Sequence, residues 1–263
     1  MKAENPWEKR KRKAMKIDVV QTMEEIRQEH ITGRTVIVID VLKAASTIVA
    51  ALSSGFASVL PVETIGQAQA LRSQNVVCAG ERHGKKVAEF EYSNSPVAFS
   101  ITRQNGKQLV LTTTDGTIAI SKAARAAHVL IGCFLNAEAC IREALKRQLD
   151  ITLYCAGTRH EFALEDGLAA GLMIHRAQQL QPAIKVRDLG KALEASYLHL
   201  KNELPNLLLE TSNGKRLAQQ HGTDDVLYCG QLNVFDIVPV LKNKYLIIAP
   251  NAKSGDEPTA PQA

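Results

Sequence analysis

Four short stretches carry carboxylates, hydroxyls and cations that together suit a phosphate and a divalent cation. They are Asp40 with Lys43, Glu81-Arg82, the turn Thr112-Thr113-Thr114-Asp115-Gly116-Thr117, and Gly157-Thr158-Arg159 with Glu165-Asp166. Mg²⁺ takes hard oxygen ligands and usually bridges substrate oxygens, so carboxylates grouped with hydroxyls and cations fit phosphoryl chemistry. The threonine turn contains a glycine and leads into a helical pattern, so its amides and hydroxyls could meet phosphate oxygens. Each stretch also has a purely structural reading. Threonine turns and Asp40 cap helices, Glu165-Asp166 complements a helix dipole, and Arg82 fits a surface ion pair. Their shared place at the ends of strand patterns favours the chemical reading.

The elements that must position these residues alternate between two periods. Val36-Ile37-Val38-Ile39 is a β-branched run suited to a strand buried on both faces, and Asp40 ends it. Ala45, Ile48, Val49 and Leu52 then recur at helical spacing over 45–54, with Ser46 or Thr47 near the start and Ser53-Ser54-Gly55 as a stop. The rhythm continues with strand 57–62, a helix from Thr64 to Arg72 capped by Thr64, strand 76–80 and a polar loop 81–94 without a core pattern. Ser95-Pro96 opens a helix to about Gln104, and Asn105-Gly106 makes a turn. Next come strand 109–112, helix 117–127, strand 129–132, helix 137–148 capped by Asn136, strand 150–155 and a long helix 164–180. Ile17–Val20 reads as a first strand before a short helix capped by Thr22. Near the end, helices are expected over 191–204 and 214–220, and strands over 226–229 and 245–248. Strands separated by single helices imply parallel pairing. The expected fold class is α/β, a layered α/β/α architecture with a mostly parallel sheet, over 17–249 as one domain or two closely packed lobes. The four stretches should then share the edge where open α/β sheets place ligands.

Composition narrows the function class. The 263 residues are 45% hydrophobic and 22% charged, enough for a large core. No apolar run approaches the ~18 residues of a membrane span. The net charge of +5 sits in residues 1–16, where Lys2, Lys9, Arg10, Lys11, Arg12, Lys13 and Lys16 outnumber Glu4 and Glu8. The remainder is neutral, so composition argues against a nucleic-acid surface on the body. Residues 1–16 read as a basic disordered leader without the apolar stretch of a secretory signal, and 250–263 as a disordered tail. Five cysteines at wide spacings without C-x-x-C point away from disulfides and zinc and towards a reducing cytoplasm. A homodimer is compatible with this reading.

Taken in order, Ile39-Asp40-Val41-Leu42-Lys43-Ala44, Gly80-Glu81-Arg82-His83-Gly84-Lys85-Lys86, Asn94-Ser95-Pro96, Thr112 to Thr117, Asn136-Ala137, and Cys155-Ala156-Gly157-Thr158 through Phe162-Ala163-Leu164-Glu165-Asp166 with Ala170-Gly171 resemble the 2-phosphosulfolactate phosphatase family. The resemblance runs from about Val36 to Pro239 and includes Gly214, Leu217, Gly222, Asp225-Val226 and Cys229. It implies a Mg²⁺-dependent phosphoric monoester hydrolase that splits (R)-2-phospho-3-sulfolactate into sulfolactate and phosphate. The implied partner is a small anionic phosphorylated substrate, with no nucleic acid and no membrane. Candidate catalytic residues are Asp40, Glu81 and Asp166, and candidate metal ligands are Asp40, Glu81, Glu165 and Asp166. Candidate substrate contacts are Lys43, Ser46, Arg82, Lys86, Asn94, Ser95, Thr113, Thr114, Asp115, Gly116, Thr117, Gly157, Thr158 and Arg159. The chain departs from the family pattern at Lys43 and Ile118, where arginine is usual, at Asp115, where asparagine is usual, and at Glu91 and Ser93 before Asn94. Lysine lacks the bidentate fork of arginine, and the changes at 115 and 118 remove positive charge. A hydrolase of a related, less charged phosphorylated acid and an inactive phospholigand-binding homologue are the alternatives.

In the expected mechanism, Mg²⁺ on these carboxylates positions a water for in-line attack while Arg82 and the threonine turn hold the phosphate. Asp40 as covalent nucleophile is the rival, although a D-x-D phosphatase pattern would need an aspartate where Leu42 stands. His83 and His160 are candidate general acids, Lys85 is a further candidate anion contact, and His175 and Cys155 read as structural.

Overall fold

The computed structural model describes residues 14–104 and 106–249. The first thirteen residues of the basic leader, Asn105 of the expected turn and the 250–263 tail lie outside that range. The strands are β1 (Lys16–Val20), β2 (Thr35–Ile39), β3 (Ser58–Pro61), β4 (Val76–Arg82), β5 (Lys85–Lys86), β6 (Gln108–Thr112), β7 (His128–Gly132), β8 (Ile151–Cys155), β9 (Lys185–Val186), β10 (Pro239–Lys242) and β11 (Tyr245–Ile248). The helices are α1 (Ala44–Ser53), α2 (Ile65–Ala70), α3 (Pro96–Ser100), α4 (Gly116–Ala123), α5 (Ala137–Lys146), α6 (Leu164–Leu180), α7 (Asp188–Leu200), α8 (Asn206–Glu210), α9 (Ser212–Gln219) and α10 (Thr223–Cys229).

All strands join one mostly parallel sheet in the order β5-β4-β6-β3-β11-β10-β7-β2-β8-β1-β9. β2 lies near its centre with all five side chains buried, in parallel register with β7 through Val36 and Val129 and with β8 through Val36 and Thr152. A β-branched run can fill such a two-sided slot because no position faces water. α5, α6 and α7 pack on one another and on β7, β2, β8 and β1, while α1 packs with α3 and α4. The architecture is layered α/β/α.

The expectation of one common edge needs correction. β10 and β11 form an antiparallel hairpin inserted between two parallel blocks, β4-β6-β3 and β7-β2-β8-β1-β9, and both outer pairings of the hairpin are antiparallel as well. Three antiparallel steps in succession set the two blocks in opposite directions. The hairpin closes through Asn243 and Lys244 with φ of 49° and 74°, the left-handed pair of a two-residue turn. Here, as at the short β4–β5 pair, the helix-separated strand rhythm breaks.

Several boundaries differ for identifiable reasons. Residues 22–25 form a turn instead of a helix, because Met23 N–H is drawn to Ala156 O at the end of β8. α3 stops at Ser100, where the Ser100 and Thr102 hydroxyls bond to the carbonyls of Val97 and Ala98. The loop after β4 is not featureless: β5 pairs with β4, and Val87 and Phe90 are buried in a second core cluster. Residues 226–229 belong to a helix and not a strand. Asp224 and Asp225 sit in its first turn, where the helix dipole favours acids, and Val226 and Cys229 share its buried face. Asn136 stands at the N-cap position of α5, as expected, but its side chain makes no cap bond. Its amide donates to Ile131 O and Ile237 O, and Asn233 Oδ1 accepts from Glu138 N–H in the first turn of α5. Lys16, expected in the leader, opens β1 with its N–H donating to Asp150 Oδ1 at 2.9 Å.

Candidate active site

β2 delivers Asp40 at the point where the buried backbone leaves the sheet. Its Oδ1 accepts from Ala44 N–H at 3.1 Å and its carbonyl from Ala45 N–H at 2.9 Å, so Asp40 ties down the start of α1. Its Oδ2 faces Gly116, the first residue of α4. A Cβ placed on Gly116 would lie 2.3 Å from that oxygen and 2.5 Å from Ala44 Cβ, so only glycine lets α4 begin this close to α1. Asp40 therefore stands between two helix starts, whose dipoles favour an anion. Burial acts in the opposite sense, and with the charges of Asp115, Glu81 and Glu165 it pushes the carboxyl up to about 8.

The second carboxyl of this wall is presented by the threonine turn. Thr113 N–H donates to Thr117 Oγ1 at 3.2 Å and Thr117 N–H to Thr113 Oγ1 at 3.1 Å, closing the turn on itself. Glu81 fastens it from outside. Its Oε1 accepts from Thr114 N–H and Oγ1 at 2.7 and 2.9 Å, and its Oε2 from Gly84 N–H at 2.7 Å. The Thr113 and Thr114 amides expected on phosphate are thus engaged within the protein. What the turn offers is Asp115, whose carboxyl is pushed up by burial and by Glu81.

Asp166 and Glu165 sit in the first turn of α6. Asp166 accepts from Val41 N–H at 2.8 Å and Gly157 N–H at 3.1 Å, joining the exits of β2 and β8. Burial, Asp40 and Glu165 hold its carboxyl well above the usual range. Glu165 accepts from Asn213 Nδ2 at 3.0 Å, and burial raises its carboxyl too.

A cavity of about 350 Å³ unites the site. Asp40, Glu81, Thr113, Thr114 and Asp115 form one wall, Lys43, Asn94 and Ser95 another, and Gly157, Thr158 and Arg159 a third, with Lys86 reaching in from β5. Ser46, Arg82, Gly116, Thr117, Glu165 and Asp166 do not line it. Ser46 bonds to Val41 O at 2.8 Å. Arg82 turns away from the cavity and donates to Glu81 O, Glu63 O and Thr112 Oγ1 at 2.7 to 2.9 Å. Glu165 faces a neighbouring cavity of about 410 Å³. Lys85 stays exposed on the edge strand.

Lys43 reaches the cavity already paired, with Nζ 2.7 Å from Asp225 Oδ2. The other oxygen of Asp225 accepts from Ser95 Oγ at 2.7 Å and Val97 N–H at 3.2 Å, so α10 locks the exit of β2 to the start of α3. Asn94 Oδ1 is buried without a hydrogen-bond partner among the described residues, as expected of a group awaiting a ligand. Arg216, Gln220, His221 and Gly222, from α9 and the loop after it, complete the lining. Sequence reasoning assigned them no role, and their only signal was the Gly214, Leu217 and Gly222 pattern around them. His83 lines the cavity, His160 pairs with Glu24 at the surface, and His175 joins α6 to Glu194 of α7 at 3.1 Å. Burial, with the charges of Asp166 and Glu165, pushes the Cys155 thiol far up, consistent with a packing role. Among the described residues, no three His, Cys, Asp or Glu side chains gather as a metal-ligand group. Among those residues, too, no helix is long and apolar enough to cross a membrane.

The family model described as 2-phosphosulpholactate phosphatase matches residues 20–244. A protein of Thermotoga petrophila named probable 2-phosphosulfolactate phosphatase is 39% identical over 218 residues, covering 82% of this chain and 92% of the relative. A protein of the same name from Caldanaerobacter subterraneus subsp. tengcongensis is 34% identical over 233 residues, covering 87% and 96%. With a match over most of its length and relatives aligned nearly end to end, the chain belongs to the 2-phosphosulpholactate phosphatase family.

Proposed function

We propose that the protein is a Mg²⁺-dependent phosphatase that releases phosphate and sulfolactate from 2-phosphosulfolactate. The observation that carries this reading is the meeting, in one cavity, of a buried carboxyl, Asp40, and a half-buried one, Asp115, with the guanidinium residues Arg159 and Arg216. Mg²⁺ is usually held by one or two carboxylates and completes its shell with water and substrate oxygens. Asp40 and Asp115 suit that mode, because each carboxyl is held up by burial and by carboxylate neighbours that a cation would offset. These two would hold the ion, while Glu81, tied to Thr114 and Gly84, braces the turn behind them. Glu165 and Asp166 act one layer out by fixing the exits of β2 and β8 and the Asn213 amide. When bound, Mg²⁺ would supply charge neutralisation at the phosphoryl oxygens.

The chain's own groups do the rest. Asn94 and Ser95 face the bound ester from the α3 side, Arg159 supplies a fork for phosphoryl oxygens, and Asp166 keeps Gly157 and Val41 in register so that the walls stay aligned. Hydrolysis joins a water oxygen to phosphorus and breaks the ester oxygen bond. The test is phosphate release from 2-phosphosulfolactate and from a panel of small phosphomonoesters, with Mg²⁺ and with EDTA. Mg²⁺-dependent release that prefers phosphosulfolactate is expected. Preference for another ester would move the substrate, and release from none would leave a phospholigand-binding protein.

A further inference from the structure

Arg216 projects from α9 to the seam between the two cavities, and it lines both of them together with Thr158 and Arg159. We propose that Arg216 holds the anionic group of the substrate that is not transferred, and so sets a preference for phosphomonoesters that carry a second negative charge. This deepens the phosphatase reading and rests on it.

The cations around the cavity are unequal. Lys43 is paired with Asp225, Arg82 does not line the cavity and is bound to three protein oxygens, and Lys86 Nζ donates to Phe90 O at 2.8 Å. Arg159 and Arg216 form no ion pair among the described residues. Arg216 is nevertheless held in place. Its Nη2 donates to Asn213 Oδ1, and Asn213 Nδ2 donates to Leu42 O and Glu165 Oε1, each at 3.0 Å, which fixes the direction of the amide. Its Nη1 lies 3.1 Å from where a Cβ on Gly84 would stand, and Gly84 has a φ of +83°, so the turn after β4 passes against the guanidinium at a glycine. Burial and the nearby positive charge of Arg159 weaken the hold of Arg216 on its proton more than Glu81, Asp115 and Glu165 strengthen it, and an anion placed between the two guanidiniums would strengthen it further.

A guanidinium oriented through one nitrogen keeps most of its five donors for a planar, two-point grip on sulfonate or carboxylate oxygens. Beyond it the second cavity carries Glu161, Glu165 and Glu210, so a second negative charge is attracted as far as Arg216 and repelled further on. The carboxyls Asp40 and Asp115 and the guanidinium of Arg216 therefore offer a short dianionic ester two different contacts within one cavity.

The test compares wild type with Arg216→Ala and Arg216→Gln, the latter chosen to keep an amide donor towards Asn213. Turnover is measured on 2-phosphosulfolactate and on p-nitrophenyl phosphate, and binding of sulfolactate alone by calorimetry. The expected result is a rise in KM of about 10-fold to 100-fold on phosphosulfolactate, with a loss in kcat/KM on p-nitrophenyl phosphate at least about 10-fold smaller. Sulfolactate should bind wild type at least about 10-fold tighter than either variant. Equal losses on both esters, or sulfolactate affinity unchanged by the substitutions, would overturn the proposal. Absence of turnover by wild type on every ester counts against the phosphatase reading alone, because the sulfolactate titration still decides the role of Arg216.

Discussion

Replacing Asp40 by asparagine should make the metal-free protein more stable at alkaline pH while abolishing turnover. The carboxyl is buried and is pushed from its ordinary 3.8 up to about 8, first by burial and then by Asp115, Glu81 and Glu165. A raised carboxyl binds its proton more tightly in the folded chain than in the unfolded one. Its contribution to stability is therefore complete below about pH 4 and is lost as pH rises towards 8. At about 1.36 kcal/mol per pH unit, the loss has an upper bound of about 6 kcal/mol. Asp115 and Glu81 share the strain, so removing one charge should recover about 2–3 kcal/mol at pH 8.5 in EDTA, roughly 5–10 °C in Tm. The asparagine carbonyl can still accept from Ala44 N–H, which keeps the start of α1 in place. Thermal unfolding of both proteins at pH 5 and pH 8.5, with EDTA and with Mg²⁺, is the assay. The variant should match wild type at pH 5, exceed it at pH 8.5 in EDTA, and gain less from Mg²⁺. A variant that melts below wild type at pH 8.5 in EDTA would refute the electrostatic reasoning, and near-normal phosphate release would remove Asp40 from the chemistry.

Gly116→Ala should cost at least about 100-fold in kcat/KM, because the new Cβ would displace Asp40 Oδ2; an alanine variant with near wild-type rates would refute the tight α1–α4 approach. Asp225→Ala leaves the largely buried Lys43 ammonium unpaired and frees Ser95 and Val97, so urea unfolding should show a loss of about 3–5 kcal/mol, with Asp225→Asn losing less. Arg82→Ala should lower stability by about 1–2 kcal/mol and leave kcat/KM within about threefold, since Arg82 does not line the cavity and its guanidinium is spent on three protein oxygens. A 100-fold loss of activity in that variant would return Arg82 to the phosphate.

The sequence was most readable where the hydrophobic period changes sharply or a side-chain cap marks a helix start. The β2–α1 junction, the Thr64 capping box, the Ser95-Pro96 start of α3 and both ends of α6 all lie where local chemistry places them. Local chemistry fails where a partner distant in the chain decides. The run Val226 to Cys229 suits a strand or a buried helix equally by periodicity, and the acids before it together with packing on α9 and α3 select the helix. Thr22 has the residue type of a cap, yet a bond from Met23 to the end of β8 overrides it. Asp225 is 182 residues from Lys43 and Asn213 is 171 from Leu42, so neither contact leaves a mark in local spacing. Arg216 was missed for the same reason: its helix shows an amphipathic pattern and no motif that predicts which chain segment it will face.

The departures at Lys43, Asp115 and Ile118 make sense together once the cavity is seen as having two ends. Lys43 needs only a single point contact, because Asp225 uses one oxygen for it and the other for Ser95 and Val97; a compact ammonium can close that junction without a fork. Ile118 lies outside the cavity lining and packs partly buried against the main core, so an arginine there would have to leave an apolar contact to reach a ligand. Asp115 adds a second raised carboxyl beside Asp40, at the end where a cation is expected. Positive charge given up near the α1–α4 end is thus not replaced there. It resides instead at the α9 seam, in Arg216, with Arg159 beside it. Glu81, Asp115 and Glu165 act on Arg216, yet neither guanidinium is tied to them in an ion pair among the described residues, so a ligand that brings anionic groups to the guanidiniums and a cation to the carboxyls can use both.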